Sequence, residues 1–481
     1  MPNDVLSNLP NEILSSIFLC TLEKDSKQIS EGLLAEVVIS HVSSRWRAAA
    51  LALPDLWSSF RFTGGSNCRT LPVDRLAAYL ERSSNRLLDF WFDLREMDHG
   101  RWESGEPIVH FVVQTVPHVF RWHQFIVLLD GVYESFDFFE DYFKDLHAPN
   151  LEYFAIFPNQ HEEQQVEVSA GSPEDLAPQI FLGGAPKLSA LFLDTLGYSM
   201  RCMPPASNIT TLTILRYDMV GDVLHSDVLY AILALPHIVN LALVGGICDD
   251  PIEHRVDMPN MKNLRLGDDI ITPTLLLNLY APLLEVLTIS KVDLDFTDNY
   301  RLPDIEISKE PFPALHTLSL VDVSFRTSSW ESRPILRQLT RCIKHLVISL
   351  SLEFDEEEWI EDYGSYEWNL ETVSFNIEKP RYPYFYHTMS EILGEKVVVR
   401  LHKNILGLWQ LEDPANVESL EKEYTVERME ESNPLRIGDW PAKSSTFGPF
   451  GEINGPFYLD ILSSRQTGEV SHSIKSDEEA D

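Results

Sequence analysis

Apolar positions recur along this chain with two different periods, and the change from one to the other divides it. Near the start, Ile13, Leu14, Ile17 and Phe18 fall at helical spacing. Pro10 stands in the first turn, where its missing N–H costs no intrahelical bond. Leu22 to Ser30 is polar and charged and predicts a loop. Leu33, Leu34, Val37, Val38 and His41 repeat at helical spacing again, and Ser43 or Ser44 is placed to cap a third helix carrying Arg45, Trp46 and Ala49. Pro54 ends that helix, and Leu56, Trp57 and Phe60 follow. Residues 1–62 therefore predict a small helical unit, of a size that buries only about 60% of its unfolded surface.

Further on, a short pattern of the form apolar-x-x-apolar-x-apolar takes over, usually introduced by proline. Pro149-Asn150-Leu151-Glu152-Tyr153-Phe154-Ala155-Ile156 and Pro186-Lys187-Leu188-Ser189-Ala190-Leu191-Phe192-Leu193 show it most fully. It recurs at Ile209/Leu212/Ile214, Ile238/Leu241/Leu243, Met261/Leu264/Leu266, Leu284/Leu287/Ile289, Leu315/Leu318/Leu320 and Ile343/Leu346/Ile348. Weaker copies are Leu370/Val373/Phe375, Leu87/Phe90/Phe92 and Trp122/Phe125/Val127. From Leu151 to Leu370 the first positions are 37, 21, 29, 23, 23, 31, 28 and 27 residues apart, a range overlapping leucine-rich repeats. The period-2 tail suits a strand with alternate side chains facing out. Asp227 to Leu235 and Thr274 to Tyr280 have the length of short helices between strands. The asparagine that ladders regular repeats is nearly absent, Asn159 alone holding that place.

The fold class expected for residues 63–412 is thus α/β: an irregular leucine-rich-repeat solenoid, a horseshoe with parallel strands on its concave face. Residues between the buried frame positions line that face. Phe192, Thr211, Thr213, Lys262, Arg265, Glu285, His316, Lys344 and His345 are the candidate recognition residues there. The mix is polar without one dominant charge, which suits a protein partner and equally suits a merely solvated sheet.

At 481 residues the chain is too long for one ordinary core. Its 44% hydrophobic and 23% charged residues are those of a packed protein. The formal charge of −36, from 74 acidic and 38 basic residues, argues against nucleic acid or an anionic membrane surface as partner. Cys20, Cys68, Cys202, Cys248 and Cys342 are scattered, which predicts reduced thiols in a cytoplasmic or nuclear protein. Asp4 and Glu12 within the first apolar stretch speak against a secretory signal. Val228 to Cys248 is apolar, but Pro236-His237 and Asn240 at its centre predict two shorter buried elements and no membrane span.

Motifs of catalysis are missing: the chain has no G-x-S-x-G elbow, no P-loop and no G-x-G-x-x-G after a strand. The histidines, His118 and His123 among them, lack cysteine or carboxylate neighbours at ligand spacing, so neither metal nor cofactor is expected. Asp355-Glu356-Glu357-Glu358 with Glu361 and Asp362 reads as a solvated acidic loop, since it lacks the alternation and glycine of a calcium loop. Val397 to Leu401 predicts a last strand and Asn404 to Leu411 a closing segment. Residues 413–481 form an extension expected to be largely disordered after 462.

The run Leu9-Pro10-Asn11-Glu12-Ile13-Leu14-Ser15-Ser16-Ile17-Phe18, followed by Val42-Ser43-Ser44-Arg45-Trp46-Arg47 and Leu53-Pro54-Asp55-Leu56-Trp57, resembles the F-box-like domain of fungal F-box proteins. That resemblance implies a non-enzymatic substrate-recognition subunit of a Skp-cullin-F-box type ubiquitin ligase. Leu9, Pro10, Ile13, Leu14, Ile17 and Phe18 would bury against the Skp-type adaptor, with Val42 and Trp46 finishing the helical unit, and the repeat surface would hold an unknown target protein. Four to six apolar side chains removed from water, at about 1.5–3 kcal/mol each before association costs, suffice for a specific contact. The competing expectation is a non-catalytic scaffold in which the helices only cap the repeats.

Overall fold

The computed structural model describes residues 9–25, 34–63, 72–94, 106–130, 134–159, 177–194, 202–216, 223–248, 250–267, 271–294, 310–325, 332–350, 368–377, 397–412 and 414–429. They fall into two units, one holding residues up to Arg61 together with Pro72–Trp91, the other holding Phe62, Thr63 and the residues from Phe92 onward.

The first unit opens with α1 (Asn11–Asp25), α2 (Ala35–Val42) and α3 (Ser44–Leu51). α1 runs on through Leu22 to Asp25, where a loop is expected, because Leu22, Glu23 and Lys24 are good helix formers with no breaker among them. Ser43 is extended, and its Oγ accepts a hydrogen bond from Trp46 N at 3.1 Å, which caps α3 as its spacing predicts. Pro54–Trp57 forms a 3₁₀ turn, whose Trp57 indole donates to Ala50 O at 2.8 Å. β1 (Ser59–Thr63) and α4 (Val73–Arg82) follow, and α4 is grouped with the first three helices. α4 buries Leu76, Tyr79 and Leu80 on one side.

Next come β2 (Leu88–Asp93), α5 (Glu106–Thr115), β3 (Trp122–Asp130), α6 (Glu134–Phe143), β4 (Tyr153–Asn159), β5 (Ala190–Asp194), β6 (Thr211–Leu215), α7 (Ser226–Leu233) and β7 (Asn240–Val244). β8 (Val256–Asp257), β9 (Asn263–Gly267), α8 (Thr272–Asn278), β10 (Leu279–Tyr280), β11 (Val286–Ser290), β12 (Asp293–Leu294), β13 (Thr317–Val321) and β14 (Ser324–Phe325) continue the alternation. It ends with α9 (Ser332–Leu339), β15 (His345–Leu350), β16 (Thr372–Ile377), β17 (Val398–His402), α10 (Lys403–Glu412), α11 (Pro414–Glu423) and β18 (Thr425–Met429). The fold is mixed α/β around a large sheet of fourteen strands, whose neighbours follow one another in chain order. Four two-residue strands stand apart from it as the parallel pairs β8–β10 and β12–β14.

From β3 through β6 and β7, and from β9 through β18, the recorded strand pairings are parallel and in register. Leu241, Leu264, Leu287, Leu318 and Leu346 stand opposite one another, and Leu243, Leu266, Ile289, Leu320 and Ile348 form a second row two residues on. These are the frame positions of the sequence pattern, and all are buried. At about 1.5–3 kcal/mol for each fully buried aliphatic side chain, two such rows are the main apolar reward of the array.

Five of the strands are introduced by a tight turn. Leu151 N bonds Ala148 O, Leu188 N bonds Ala185 O, Met261 N bonds Met258 O, Leu284 N bonds Ala281 O and Leu315 N bonds Phe312 O, each three residues apart. Proline follows the first residue of all five and pre-sets its backbone for the turn. The residue before each proline is buried, so the turn is anchored from below. Where strands end, Gly245, Lys291 and Asp322 have positive φ of 90°, 52° and 49° at the position just after β7, β11 and β13. A Cβ on Gly245 would come within 2.1 Å of Arg216 O, so that position tolerates no side chain.

The array runs past residue 412: β18 pairs in parallel with β17, Val399 opposite Val426 and Leu401 opposite Arg428. Its pattern carries no buried position, so no apolar signal marks it in the sequence. Residues 430–481, including Phe450, Phe457, Tyr458 and Ile461, lie outside the described residues.

Candidate functional site

In the helical unit the apolar stripe of α1 is divided between two surroundings. Leu14 and Phe18 are fully buried, the Phe18 ring lying 5.2 Å from that of Trp46 on α3. Ile13 and Ile17, one residue ahead of each, are 48% and 40% exposed. α2 repeats the arrangement: Ile39 is buried, whereas Val38 and Val42 are 41% and 55% exposed. Each helix thus presents to solvent an apolar pair four residues apart, on neighbouring turns of one face. Leu9 is half-buried, its carbonyl accepting from the Arg45 guanidinium, and Pro10 is exposed.

This placement narrows the set expected to meet an adaptor. Leu14 and Phe18 are already removed from water within the unit, so a partner gains nothing from them directly. Trp46 closes the unit against Phe18, but Val42 does not; it faces out. The available apolar surface is Pro10, Ile13, Ile17 and Val42, to which Val38 is added. Half-exposed side chains have about 1 kcal/mol each left to contribute on burial.

In the array, the expected recognition residues separate by depth. Thr211, Thr213 and Arg265 are buried, in strands flanked on both sides at the close spacing of a sheet. Phe192, Glu285, His316 and His345 are half-buried, and Lys262 and Lys344 are exposed. The residues with access to solvent gather where strands begin. Lys262 Nζ meets Glu285 at 2.9 Å and Lys344 Nζ meets Glu371 at 2.7 Å, pairs exposed enough to add only a fraction of a kcal/mol each. Lys344, by hydrogen bond and charge, holds the Glu371 carboxyl below its ordinary value.

His316 Nδ1 lies 2.9 Å from Thr317 Oγ1, His345 Nδ1 lies 2.8 Å from Thr372 Oγ1, and the two rings meet edge to face with centroids 6.0 Å apart. Partial burial lowers the His345 pKa, and the nearby His316, Arg400 and Lys344 work in the same direction against Glu371. Imidazoles and hydroxyls paired in this way are chemically suited to binding by polar contact.

Several residues of this surface are unremarkable in sequence. Asn240 Nδ2 donates to Thr211 Oγ1 at 2.9 Å and Asn263 Nδ2 to Asn240 Oδ1 at 2.6 Å, a polar ladder across three strands. Asn150, Asn208 and Asn260, each just before a first frame position, donate to Phe120 O, Pro186 O and Pro236 O at 2.8, 3.0 and 3.0 Å. Repeats are therefore stitched by asparagine from a position on the turn. The signal was the recurring Asn before the anchor, as in Pro149-Asn150-Leu151 and Pro259-Asn260-Met261.

Cys20 is exposed, Cys342 half-buried and Cys202 and Cys248 buried, all as free thiols; Cys68 lies outside the described residues, as does the acidic run 355–362. Among the described residues no group of three or more His, Cys, Asp or Glu is gathered for a metal ion, and no helix is long and apolar enough to cross a membrane. No protein-family model matches the chain, and no curated protein matches it.

Proposed function

We propose that this chain is the substrate-recognition subunit of a Skp-cullin-F-box type ubiquitin ligase, acting in the cytoplasm or nucleus. The helical unit grips the adaptor through Pro10, Ile13, Ile17, Val38 and Val42. The repeat surface around Lys262, Glu285, His316, Lys344 and His345 holds a target protein. The chain performs no chemistry of its own; it raises the effective concentration of the target's lysines near the conjugating enzyme. The observation that carries this reading is the pair of exposed apolar doublets on α1 and α2, in a unit whose own core is already closed by Phe18, Trp46 and Leu14. Together with the F-box-like order of Leu9 to Phe18, Val42 to Arg47 and Leu53 to Trp57, they favour a docking face over a cap, because a cap needs its outer face wet.

The test is Ile13→Asp with Ile17→Asp in the full chain. Both positions are about half exposed, so the double variant should cost about 1–3 kcal/mol and remain folded, which circular dichroism checks. Recovery of a Skp-type adaptor and cullin from the wild-type chain, lost in the double variant, is the expected outcome. Recovery of neither from the wild-type chain would overturn the receptor reading in favour of a scaffold.

A further inference from the structure

At the edge where strands begin, one position is shared by five neighbouring strands. Glu285 N bonds Lys262 O, His316 N bonds Glu285 O, Lys344 N bonds His316 O and Glu371 N bonds Lys344 O. Lys262, Glu285, His316, Lys344 and Glu371 therefore stand side by side, each just ahead of its strand, β9, β11, β13, β15 and β16 in turn. The same ladder places Val239 before this row and Val397 after it, so its charged part is bounded at both ends. Lys262 pairs with Glu285 at 2.9 Å and Lys344 with Glu371 at 2.7 Å, each side chain between 43% and 56% exposed. His316 is half-buried between the two pairs.

Along the row the signs run plus, minus, histidine, plus, minus. Read from the other end they run minus, plus, histidine, minus, plus, so the row is the complement of its own reversal about His316. A two-fold interface asks this of a surface, since whatever residue i meets in residue j, j meets in i. A second copy turned about an axis at His316 sets Lys262 against Glu371, Glu285 against Lys344 and His316 against His316. Each in-chain pair then closes with a pair of the second copy into a ring of four alternating charges, a network where isolated exposed pairs are weak. The row has two cations and two anions and no net formal charge, in a chain whose −36 otherwise works against self-association.

We propose that this chain forms a two-fold dimer through the row Lys262, Glu285, His316, Lys344 and Glu371. Four strand intervals of about 4.8 Å make the row about 19 Å long, so the contact is small and the dimer depends on concentration. The inference does not need the adaptor reading. It gives the surface proposed for a target a competing occupant, so that dimer and target exclude one another.

The experiment is sedimentation velocity on full-length chains, from micromolar to about millimolar protein, the affinity range of small interfaces. One variant exchanges the first pair, Lys262→Glu with Glu285→Lys; another exchanges the second, Lys344→Glu with Glu371→Lys. Each keeps its in-chain pair and the net charge at exposed positions, so both should fold, which circular dichroism checks. Either exchange makes the row read the same from both ends, and every charge then meets its own sign across the two-fold. Wild type is expected to pass from monomer to dimer as concentration rises, and each variant alone to self-associate at least about tenfold more weakly. An equimolar mixture of the two variants should recover the dimer, because their rows complement each other. The chain carrying both exchanges should dimerise by itself. Wild type that stays monomeric, a single exchange that dimerises as wild type does, or a mixture that stays monomeric would overturn the proposal. Adaptor capture runs through the helical unit, so its failure would sink the docking reading and leave this test standing.

Discussion

In the helical unit large side chains meet unlike partners: Phe18 meets Trp46, Trp57 meets Tyr79, and Glu36 meets the Tyr79 hydroxyl. In the array, Leu264, Leu287 and Leu318 meet copies of themselves in the same register, strand after strand. Charge separates the regions too. Residues 1–61 and 72–91 contain 8 Lys and Arg and 10 Asp and Glu, so they carry −2 of the −36, and the remaining 400 residues carry −34. A nearly neutral unit with bespoke contacts and exposed apolar doublets suits one fixed partner. An array of interchangeable contacts puts its specificity in the residues that vary between strands. Damage should accordingly spread through the first region and stay local in the second.

The largest effect is expected from Phe18→Ala, which removes a fully buried ring from a core too small to collapse around the gap, at about 3–5 kcal/mol. Hydrogen exchange should then accelerate in α1, α2 and α3 together; a loss confined to α1 would break the contrast. Leu287→Ala also vacates a fully buried site, at about 2–5 kcal/mol, but with neighbours in register only on β9 and β13. Protection should fall in β9, β11 and β13 and hold in β4, and a uniform decline from β4 to β16 would show that the array behaves as one block. Ser43→Ala removes the cap of α3 and should cost about 1 kcal/mol in urea unfolding, with Ser43→Gly costing less.

The smallest effect concerns acid. The Arg341 guanidinium and then the Cys342 thiol, both hydrogen-bonded to Glu310, hold its carboxyl down to about 2. A depressed carboxylate stabilises the fold above its unfolded pKa of 4.5 and loses that contribution as pH falls from 4.5 toward 2. Glu310→Gln should flatten the stability–pH slope in that window and leave neutral-pH stability of the helical unit alone.

The array was the more legible region because its apolar residues are periodic and its turns carry proline. All eleven copies of the pattern lie in or lead directly into strands, and Asp227 to Leu235 corresponds closely to α7. Depth within the sheet was not legible: Thr213 and Arg265 alternate as surface residues do, yet neighbouring strands cover them. β18 escaped because Arg428 stands where the register calls for leucine. In α1 the spacing gave the stripe without saying which half belonged to the unit and which to solvent. That depends on where α3 lies, a tertiary fact that no local pattern holds. The Glu36–Tyr79 contact, 43 residues apart, is beyond local reading for the same reason.

The proline turns have one further consequence. The buried residues Ala148, Ala185, Met258, Ala281 and Phe312 lie five positions ahead of the first residues of β4, β5, β9, β11 and β13. The approach to each strand is therefore of fixed length, and the whole spread of 21 to 37 residues between repeats is taken up after the strand ends. One residue added on the approach would turn every following side chain to the wrong face. A dozen added behind the strand would cost only a little more closure entropy. The chain is thus free to diverge along one edge of its sheet while the other is held letter for letter, and new surface can be tried there without renegotiating the core.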